Sequence, residues 1–233
     1  MKKRILTTLL LVTAVLCSKA ADTESSEQQL SPEYHIGTMW DLSLTKDWKV
    51  VRATVQQSIF TIDTELERAM SILSLDVPIV SSHLRFNGLG FYLYYRMAPG
   101  QYSHLLRYHA GFSGATPLFK TANGGGITFT WAERFESTYV LGTEVPTNKL
   151  RTRVRFVGNI PNSKFQPFIG SEFFLILNKM NAGRGERLWY DLGVTYVIDK
   201  NNKVEFLVRE EQLMLTTPRQ WNTNIGVAYK VTI

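Results

Sequence analysis

The segment LRTRVRFVGNI carries three arginines at alternate positions, Arg151, Arg153 and Arg155. Alternate residues of a β-strand point to the same side of the sheet, so the three guanidinium groups would share one face. Guanidinium groups that meet carboxylates form bidentate ion pairs, whereas unpaired ones create a surface that attracts anions. The ladder therefore predicts either an ion-pair network or an anion pathway, depending on which residues face it.

Carboxylates and further arginines occupy matching positions on the neighbouring segments, within reach of the ladder across adjacent strands. We expect all of them to face the interior of the molecule. The predicted lumen charge network consists of Arg107, Arg134, Glu136, Arg151, Arg153, Arg155, Glu172, Arg187, Asp191, Glu205 and Arg209. Extensive pairing would let these side chains close the interior, whereas sparse pairing would leave a narrow channel that prefers anions.

The candidates for catalysis are a serine and a histidine at adjacent positions, Ser103 and His104. Adjacent strand residues point to opposite faces, so this pair cannot act together, and we predict no catalytic residue. A membrane-embedded lipid hydrolase would need a serine from another strand, and it stays an alternative. His104 and His109 also point to opposite faces, so the sequence predicts neither a metal site nor a cofactor.

The elements that must position these residues are strands, because apolar and polar residues alternate along the chain. The clearest segment is ERLWYDLGVTYVI, where large apolar residues recur with a period of two. They are Leu188, Tyr190, Leu192, Val194, Tyr196 and Ile198, opposite Arg187, Asp191, Gly193 and Thr195. About eleven such segments follow one another between residues 36 and 233, separated by turn signals such as Asp199-Lys200-Asn201-Asn202.

This alternation predicts an all-β fold, an antiparallel up-and-down transmembrane β-barrel with lipid on one face and a polar lumen on the other. Bacterial single-chain barrels have even strand numbers, so we expect about twelve strands, with ten as the alternative. The segment DTELERAMSIL also shows helical spacing, and a short helix there fits the sequence as well as the start of a strand does.

Two features favour a membrane barrel over a soluble β-sandwich, which alternates in the same way. Aromatic residues gather near the ends of the segments, as they do at a lipid headgroup boundary. The polar face is rich in ionised groups, and burying them in a dry core would be unfavourable by several kcal/mol each. The sandwich, with the apolar face as its core, is the alternative.

The first twenty residues have the layout of a secretory signal peptide, with a basic start, an apolar run and small residues up to Ala20. The apolar run is shorter than the roughly 20 residues that a membrane-spanning helix needs. We therefore expect a signal peptide at 1–20, a flexible arm at 21–35 and a barrel at 36–233, located in the cell outer membrane. Cleavage would remove Cys17, the single cysteine of the sequence.

The formal net charge of +6 could suit a nucleic-acid-binding protein. Such proteins cluster their basic residues on one face, whereas here the basic residues are spread along the chain, so we do not expect nucleic acid as a partner. The expected partner is outer-membrane lipid, with a small solute or other envelope proteins as further candidates. The oligomeric state is left open.

Several stretches resemble a family of Gram-negative outer-membrane barrels catalogued as domain of unknown function 2490. They are DTELERAMSILSLDVPIV, the triplet Arg107-Tyr108-His109, RFESTY, NKLRTRVRF, FQPFIGSEFFLILN and NTNIGVAYKVTI, which lie within the expected barrel at 36–233. The resemblance implies an outer-membrane barrel and no catalytic residue. The expected function is non-catalytic, as a structural or surface-interaction barrel with an Arg/Glu-filled lumen, and the alternatives are an anion-preferring channel and a lipid hydrolase.

Overall fold

The computed structural model describes residues 31–48, 51–81, 84–98, 100–143 and 145–233, and these residues form eleven β-strands. The strands are β1 Glu33–Asp47, β2 Arg52–Ile62, β3 Glu65–Ser81, β4 Leu84–Ala98, β5 Gln101–Lys120, β6 Gly126–Val140, β7 Thr147–Asn159, β8 Phe165–Ile176, β9 Gly185–Val197, β10 Asn202–Leu213 and β11 Gln220–Thr232. The predicted signal peptide and most of the predicted arm lie outside the described residues. No helix in the described ranges is long and apolar enough to cross a membrane.

The eleven strands close into a barrel in which each strand pairs with its neighbours in the chain. All pairings are antiparallel except the closing one, where β1 runs parallel to β11 from Glu33 opposite Gln220 to Thr45 opposite Thr232. The predicted closed up-and-down barrel of about twelve strands is therefore confirmed, with eleven described strands and one parallel pairing in place of a purely antiparallel sheet. An odd number of hairpin-linked strands leaves the first and last strands pointing the same way, so closure requires a parallel pairing.

The segment DTELERAMSIL, which fits both a helix and the start of a strand by its sequence, belongs largely to strand β3 and contains no helix. Asp63 and Thr64 form the tight turn before β3, both with positive φ angles. Arg68 and Met70 line the interior, whereas Leu73 lies exposed on the outer face. The backbone pairs of β3 with β2 and β4 outweigh the helical spacing of a few apolar residues.

The two faces of the barrel wall differ in polarity. Large apolar side chains on the outer face are exposed, for example Leu192 at 63% and Ile225 at 58%. Charged and polar side chains on the inner face are buried, with Glu136, Glu211 and Asn224 each at 1% exposure. A closed cylinder with this inner face differs from the alternative of two sheets packed over an apolar core.

One band of the inner wall is apolar. It runs along a row of cross-strand neighbours in which glycines separate bulky residues. Gly226 lies between Met39 and Leu207, and Gly193 lies between Leu207 and Phe168. The bulky side chains cover the glycines, since a Cβ on Gly226 would come within 2.7 Å of the Met39 Cε. This row and Phe60 form the buried cluster Met39, Phe60, Phe168 and Leu207.

The connections divide the barrel into two ends, which we name by their most prominent features. The loop end carries the start of β1, the end of each even-numbered strand and the start of the strand that follows it. The turn end carries the end of each odd-numbered strand, β11 included, and the start of each even-numbered strand. Because β1 and β11 are parallel, the chain begins the barrel at one end and completes it at the other.

Candidate functional site

The eleven residues of the predicted charge network lie on strands β5 to β10 and face the barrel interior. The strand register brings them into neighbouring rows. Arg151 lies opposite Arg134 on one side, and Arg153 lies opposite Glu172 on the other. The alternation of the sequence therefore places these groups on a common inner wall, and the side-chain contacts decide how they pair.

Arg151 joins two carboxylates from the two strands beside it. Its Nη1 donates to Glu136 at 2.6 Å, and its Nη2 donates to Glu172 at 2.6 Å. Both carboxylate side chains are almost fully buried, with exposures of 1% and 5%. Arg107 adds a second cation to Glu136, with its Nε 3.2 Å from the carboxylate. The planar fork of Arg151 thus ties β6, β7 and β8 together from the inside.

A second cluster lies closer to the loop end, around the carboxylate of Glu211. Arg187 donates to Glu211 at 2.6 Å, and the indole nitrogen of Trp189 donates to the same oxygen at 2.8 Å. Asn222 donates to the other oxygen at 3.2 Å. Three donors from strands β9 and β11 therefore satisfy this buried carboxylate on β10.

Trp189 also occupies the middle of the barrel interior. The guanidinium carbons of Arg209, Arg151 and Arg68 lie 4.1, 5.8 and 5.8 Å from the centre of its ring system. The Phe174 ring packs edge-on against it at 4.6 Å. Arg68 belongs to β3, five strands away from β9 around the wall, which is the largest separation possible in an eleven-strand ring. The contact between Arg68 and Trp189 therefore crosses the lumen.

Two further ion-pair groups complete the paired part of the network. Arg209 and Asp191 form a bidentate pair with N–O distances of 2.7 and 3.0 Å. Glu205 accepts from Arg155 at 2.8 Å and from Lys230 at 2.8 Å. Nine of the eleven predicted residues thus take part in ion pairs across adjacent or nearby strands.

The two other predicted residues, Arg134 and Arg153, have no such partner. Within the described ranges, neither guanidinium has a carboxylate oxygen closer than 4.0 Å. The Nε of Arg134 is buried and lacks a hydrogen-bond acceptor among the described residues. The inner wall therefore contains both a paired region and a region of uncompensated positive charge.

Several interior residues lie outside the predicted network, namely Arg68, Lys149, Trp189, Glu211 and Lys230. The period of two could have identified three of them, since Lys149 precedes Arg151 by two, Trp189 lies between Arg187 and Asp191, and Glu211 follows Arg209 by two. Lys149 bonds Glu186 at 2.7 Å. Arg68 was hidden by the apparent helical spacing around it.

The interior is only partly filled by these side chains. A cavity of about 500 Å³ is lined by residues from all eleven strands. At about 30 Å³ per water molecule, it has room for some fifteen waters. A second cavity of about 280 Å³ adjoins Arg85, Arg134, Arg153 and Arg155.

The structure does not bring together the residues considered for hydrolysis. Ser103 and His104 lie on opposite faces of β5, and the Nδ1 of His104 contacts the hydroxyl of Tyr92 instead of a serine. His109 is buried inside the barrel, where it packs against Phe91 with a ring distance of 6.0 Å. Among the described residues there is also no group of three or more His, Cys, Asp or Glu that could hold a metal ion.

Comparisons with known proteins give no family model, no curated protein and no solved structure that matches the chain. The resemblance to the barrel family described above therefore stays a prediction.

Proposed function

We propose that the protein is an exported outer-membrane β-barrel whose lumen is closed by its own side chains and whose role is non-catalytic. In this role it would act as a structural or surface-interaction barrel. Two features support the location in the outer membrane, and one contact supports a closed lumen.

The first feature is the match between the outer face and a bilayer. The described strands have 11 to 20 residues, whereas a tilted transmembrane strand needs about 9–11. Their outer faces expose rows of large apolar side chains, such as Trp40, Leu42 and Leu44 on β1. Exposed apolar surface of this extent is characteristic of a membrane or protein interface.

The second feature is the behaviour of polar side chains on the outer face. Gln57 accepts a hydrogen bond from Ser71 at 2.8 Å on the next strand. Glu210 likewise accepts from Thr223 at 2.8 Å. Polar groups that face hydrocarbon have no water to bond, so lateral pairing of this kind lowers the free energy of placing them there.

The contact between Arg68 and Trp189, which crosses the lumen, supports a closed barrel. Trp189 is 9% exposed and also binds Glu211, so its ring is fixed in the middle of the interior. An open pore would need a water-filled path past this point, whereas here the ring is surrounded by guanidinium and aromatic groups.

The location is tested by fractionating the outer membrane and measuring gel mobility with and without heating. We expect the mature chain in the outer-membrane fraction, as a band that resists detergent and shifts its mobility on boiling. A chain recovered in the periplasmic extract with no heat-dependent shift would contradict the proposed location.

The closure is tested by planar-bilayer conductance of the purified protein. We expect the wild type to be silent and Trp189→Ala to give conductance steps. The matched control is Trp40→Ala, which removes a tryptophan that is 57% exposed on the outer face and should leave the protein silent. Steady ohmic steps from the wild type would contradict a closed lumen.

Those steps would instead support the second candidate, a narrow anion-selective channel. The observation in its favour is the unpaired charge of Arg134 and Arg153 beside a cavity of about 500 Å³. This candidate predicts a reversal potential on the anion side and a smaller conductance for Arg153→Glu.

Loop length favours one orientation of the barrel. Outer-membrane barrels have short periplasmic turns and longer external loops, and the three longest connections, 141–146, 177–184 and 214–219, lie at the loop end. We propose that the loop end faces outward. Single-cysteine labelling on intact cells with a membrane-impermeant maleimide tests this, because it should modify Ala182→Cys at the loop end and leave Lys200→Cys at the turn end unmodified. The opposite pattern would reverse the orientation.

A further inference from the structure

The second cavity has arginines at its sides and small residues at its base. We call it the arginine cleft; it is lined by Arg85, Arg134, Arg153 and Arg155, by Trp131, and by small residues that include Ser113 and Ala132. Its volume is about 280 Å³. It lies towards the turn end of the barrel, since Arg85 is the second residue of β4 and Arg155 stands near the end of β7.

The strand register builds the cleft. Arg85, Ser113, Ala132 and Arg153 are direct cross-strand neighbours on β4, β5, β6 and β7. Three strand spacings separate the outer two backbones, or roughly 14 Å at about 4.8 Å per spacing. Because the two residues between them are small, the long arginine side chains at either edge have free space to lean over.

Three of the four arginines of the cleft have no ion-pair partner in the described part of the chain. Among the described residues, Arg85, Arg134 and Arg153 have no carboxylate oxygen within 4.0 Å. Glu172, directly opposite Arg153, bonds Arg151, and Glu205 is shared by Arg155 and Lys230. Glu172 and Glu205 are thus engaged by other cations, and the carboxylate of Asp76 on β3 accepts a hydrogen bond from the Asn87 amide.

The cleft also contains hydrogen-bond donors without acceptors. The Nε atoms of Arg85, Arg134 and Arg155 are buried and unbonded among the described residues. Buried N–H donors without acceptors are unfavourable, and three of them around one space favour a ligand that brings acceptor oxygens, with negative charge to match the guanidinium groups that have no carboxylate partner in the described ranges.

We propose that the arginine cleft binds a multivalent oxyanion of the phosphate class, which reaches it from the turn end of the barrel. Tetrahedral oxyanions present several acceptor oxygens in the geometry that guanidinium forks recognise. The ligand could be free phosphate or the phosphate group of a small monoester, and both share this recognition. The inference does not depend on membrane location. It also holds for a closed barrel, because a ligand that enters from the turn end need not pass the contact between Arg68 and Trp189.

The test is isothermal titration of the refolded, full mature chain in detergent with inorganic phosphate, with glycerol phosphate and with chloride at matched ionic strength. We expect saturable binding of phosphate, and none of chloride. Arg134→Gln and Arg153→Gln should each weaken phosphate binding at least tenfold. Arg184→Gln removes the same charge from an exposed loop at the other end of the barrel and should change nothing.

A charge-neutral variant separates a shaped site from general electrostatic attraction. Ser113→Leu fills the base of the cleft and should abolish phosphate binding while the net charge stays constant. Far-ultraviolet circular dichroism and tryptophan fluorescence show whether each variant folds like the wild type; if one variant does not fold, the test rests on the remaining variants. Glycerol phosphate binding as tightly as phosphate would assign the site to phosphate monoesters, and much weaker binding would assign it to the free ion.

The proposal is overturned if phosphate binds no better than chloride, or if all of the cleft variants that fold bind like the wild type. Equal weakening by Arg184→Gln would also overturn it, because binding would then follow net charge alone. None of these outcomes bears on the conductance or fractionation results, so a failure here is distinguishable from a failure of the proposed function.

Discussion

Replacing Arg151 by methionine should destabilise the barrel strongly, because this side chain serves two buried carboxylates at once. The hydrogen bonds of Glu172 within the described residues come from Arg151 alone. Glu136 retains Arg107 as a partner at 3.2 Å. The variant therefore leaves Glu172 as a buried charge without a partner and weakens the compensation of Glu136.

The expected loss can be estimated from the burial of these groups. Breaking a buried ion pair by removing one partner lowers stability by about 3–5 kcal/mol. The carboxylate of Glu172 is 5% exposed, so water can replace little of the lost interaction. The cation–π contact of Arg151 with Phe174, at 4.6 Å, adds a further loss of about 0.5–1 kcal/mol. We expect a total decrease of about 3.5–6 kcal/mol in the free energy of unfolding.

The matched control is Arg153→Met, two residues further along the same wall. Arg153 has no carboxylate within 4.0 Å among the described residues, so its removal should leave stability unchanged or raise it slightly. The measurement is reversible urea unfolding in detergent micelles, followed by tryptophan fluorescence. Equal losses for Arg151→Met and Arg153→Met would refute the reasoning, because charge pairing would then not distinguish the two positions.

A double-mutant cycle with Glu172→Gln isolates the pair itself. If Arg151 acts on Glu172 through the ion pair, Arg151→Met should be less harmful in the Glu172→Gln background, with a coupling energy of about 1–3 kcal/mol. Additive effects would indicate that the loss comes from packing and not from charge.

Three further predictions concern the loop end of the barrel, and each can be measured by the same urea unfolding. Because His35 donates a hydrogen bond to Asp63, the pKa of Asp63 lies below its usual value, and its carboxylate stabilises the fold above the unfolded pKa. That contribution should be lost as the pH falls below about 4 in the wild type but not in Asp63→Asn, and a pH-independent difference would contradict it. Thr64→Gly should raise stability by about 1 kcal/mol, because Thr64 has a φ of 69° that glycine adopts without strain; no gain would indicate that this turn is unstrained. Gly37→Ala should lower stability by about 1–3 kcal/mol, because its Cβ would overlap the Thr61 carbonyl oxygen on β2 and the Asn224 side chain on β11, and a neutral effect would mean that these neighbours can move.

The period of two predicted the wall of the barrel well. Each of the eleven alternating segments corresponds to one described strand, including the closing segment, which is β11 at Gln220–Thr232. The expectation of twelve strands came from the even number typical of bacterial barrels and not from the segments themselves. Alternation reports which residues share a face, but it carries no information about the direction of the closing pair, so the parallel seam could not be read from it.

The sequence was less informative about the interior, because pairing depends on which strands meet across the lumen. Trp189 follows the same period as Arg187 and Asp191, yet as an aromatic residue among outward-facing aromatics it gave no signal of a central position. Its contact with Arg68 joins strands that are far apart in the sequence. Such a contact depends on barrel closure and strand stagger, which are properties of the whole sheet.

The arginine ladder on β7 shows why alternation could not choose between an ion-pair network and an anion pathway. Direct register places Glu172 opposite Arg153, so pairing by position would match those two. Glu172 instead bonds the diagonal neighbour Arg151, whose fork also holds Glu136, and one guanidinium thereby uses two carboxylates. Arg153 is left without a partner next to small residues from the preceding strands. The same three-arginine pattern therefore supplies a stabilising tie at Arg151 and a free cation at Arg153, and a ligand for the free cation is what the titration with phosphate would detect.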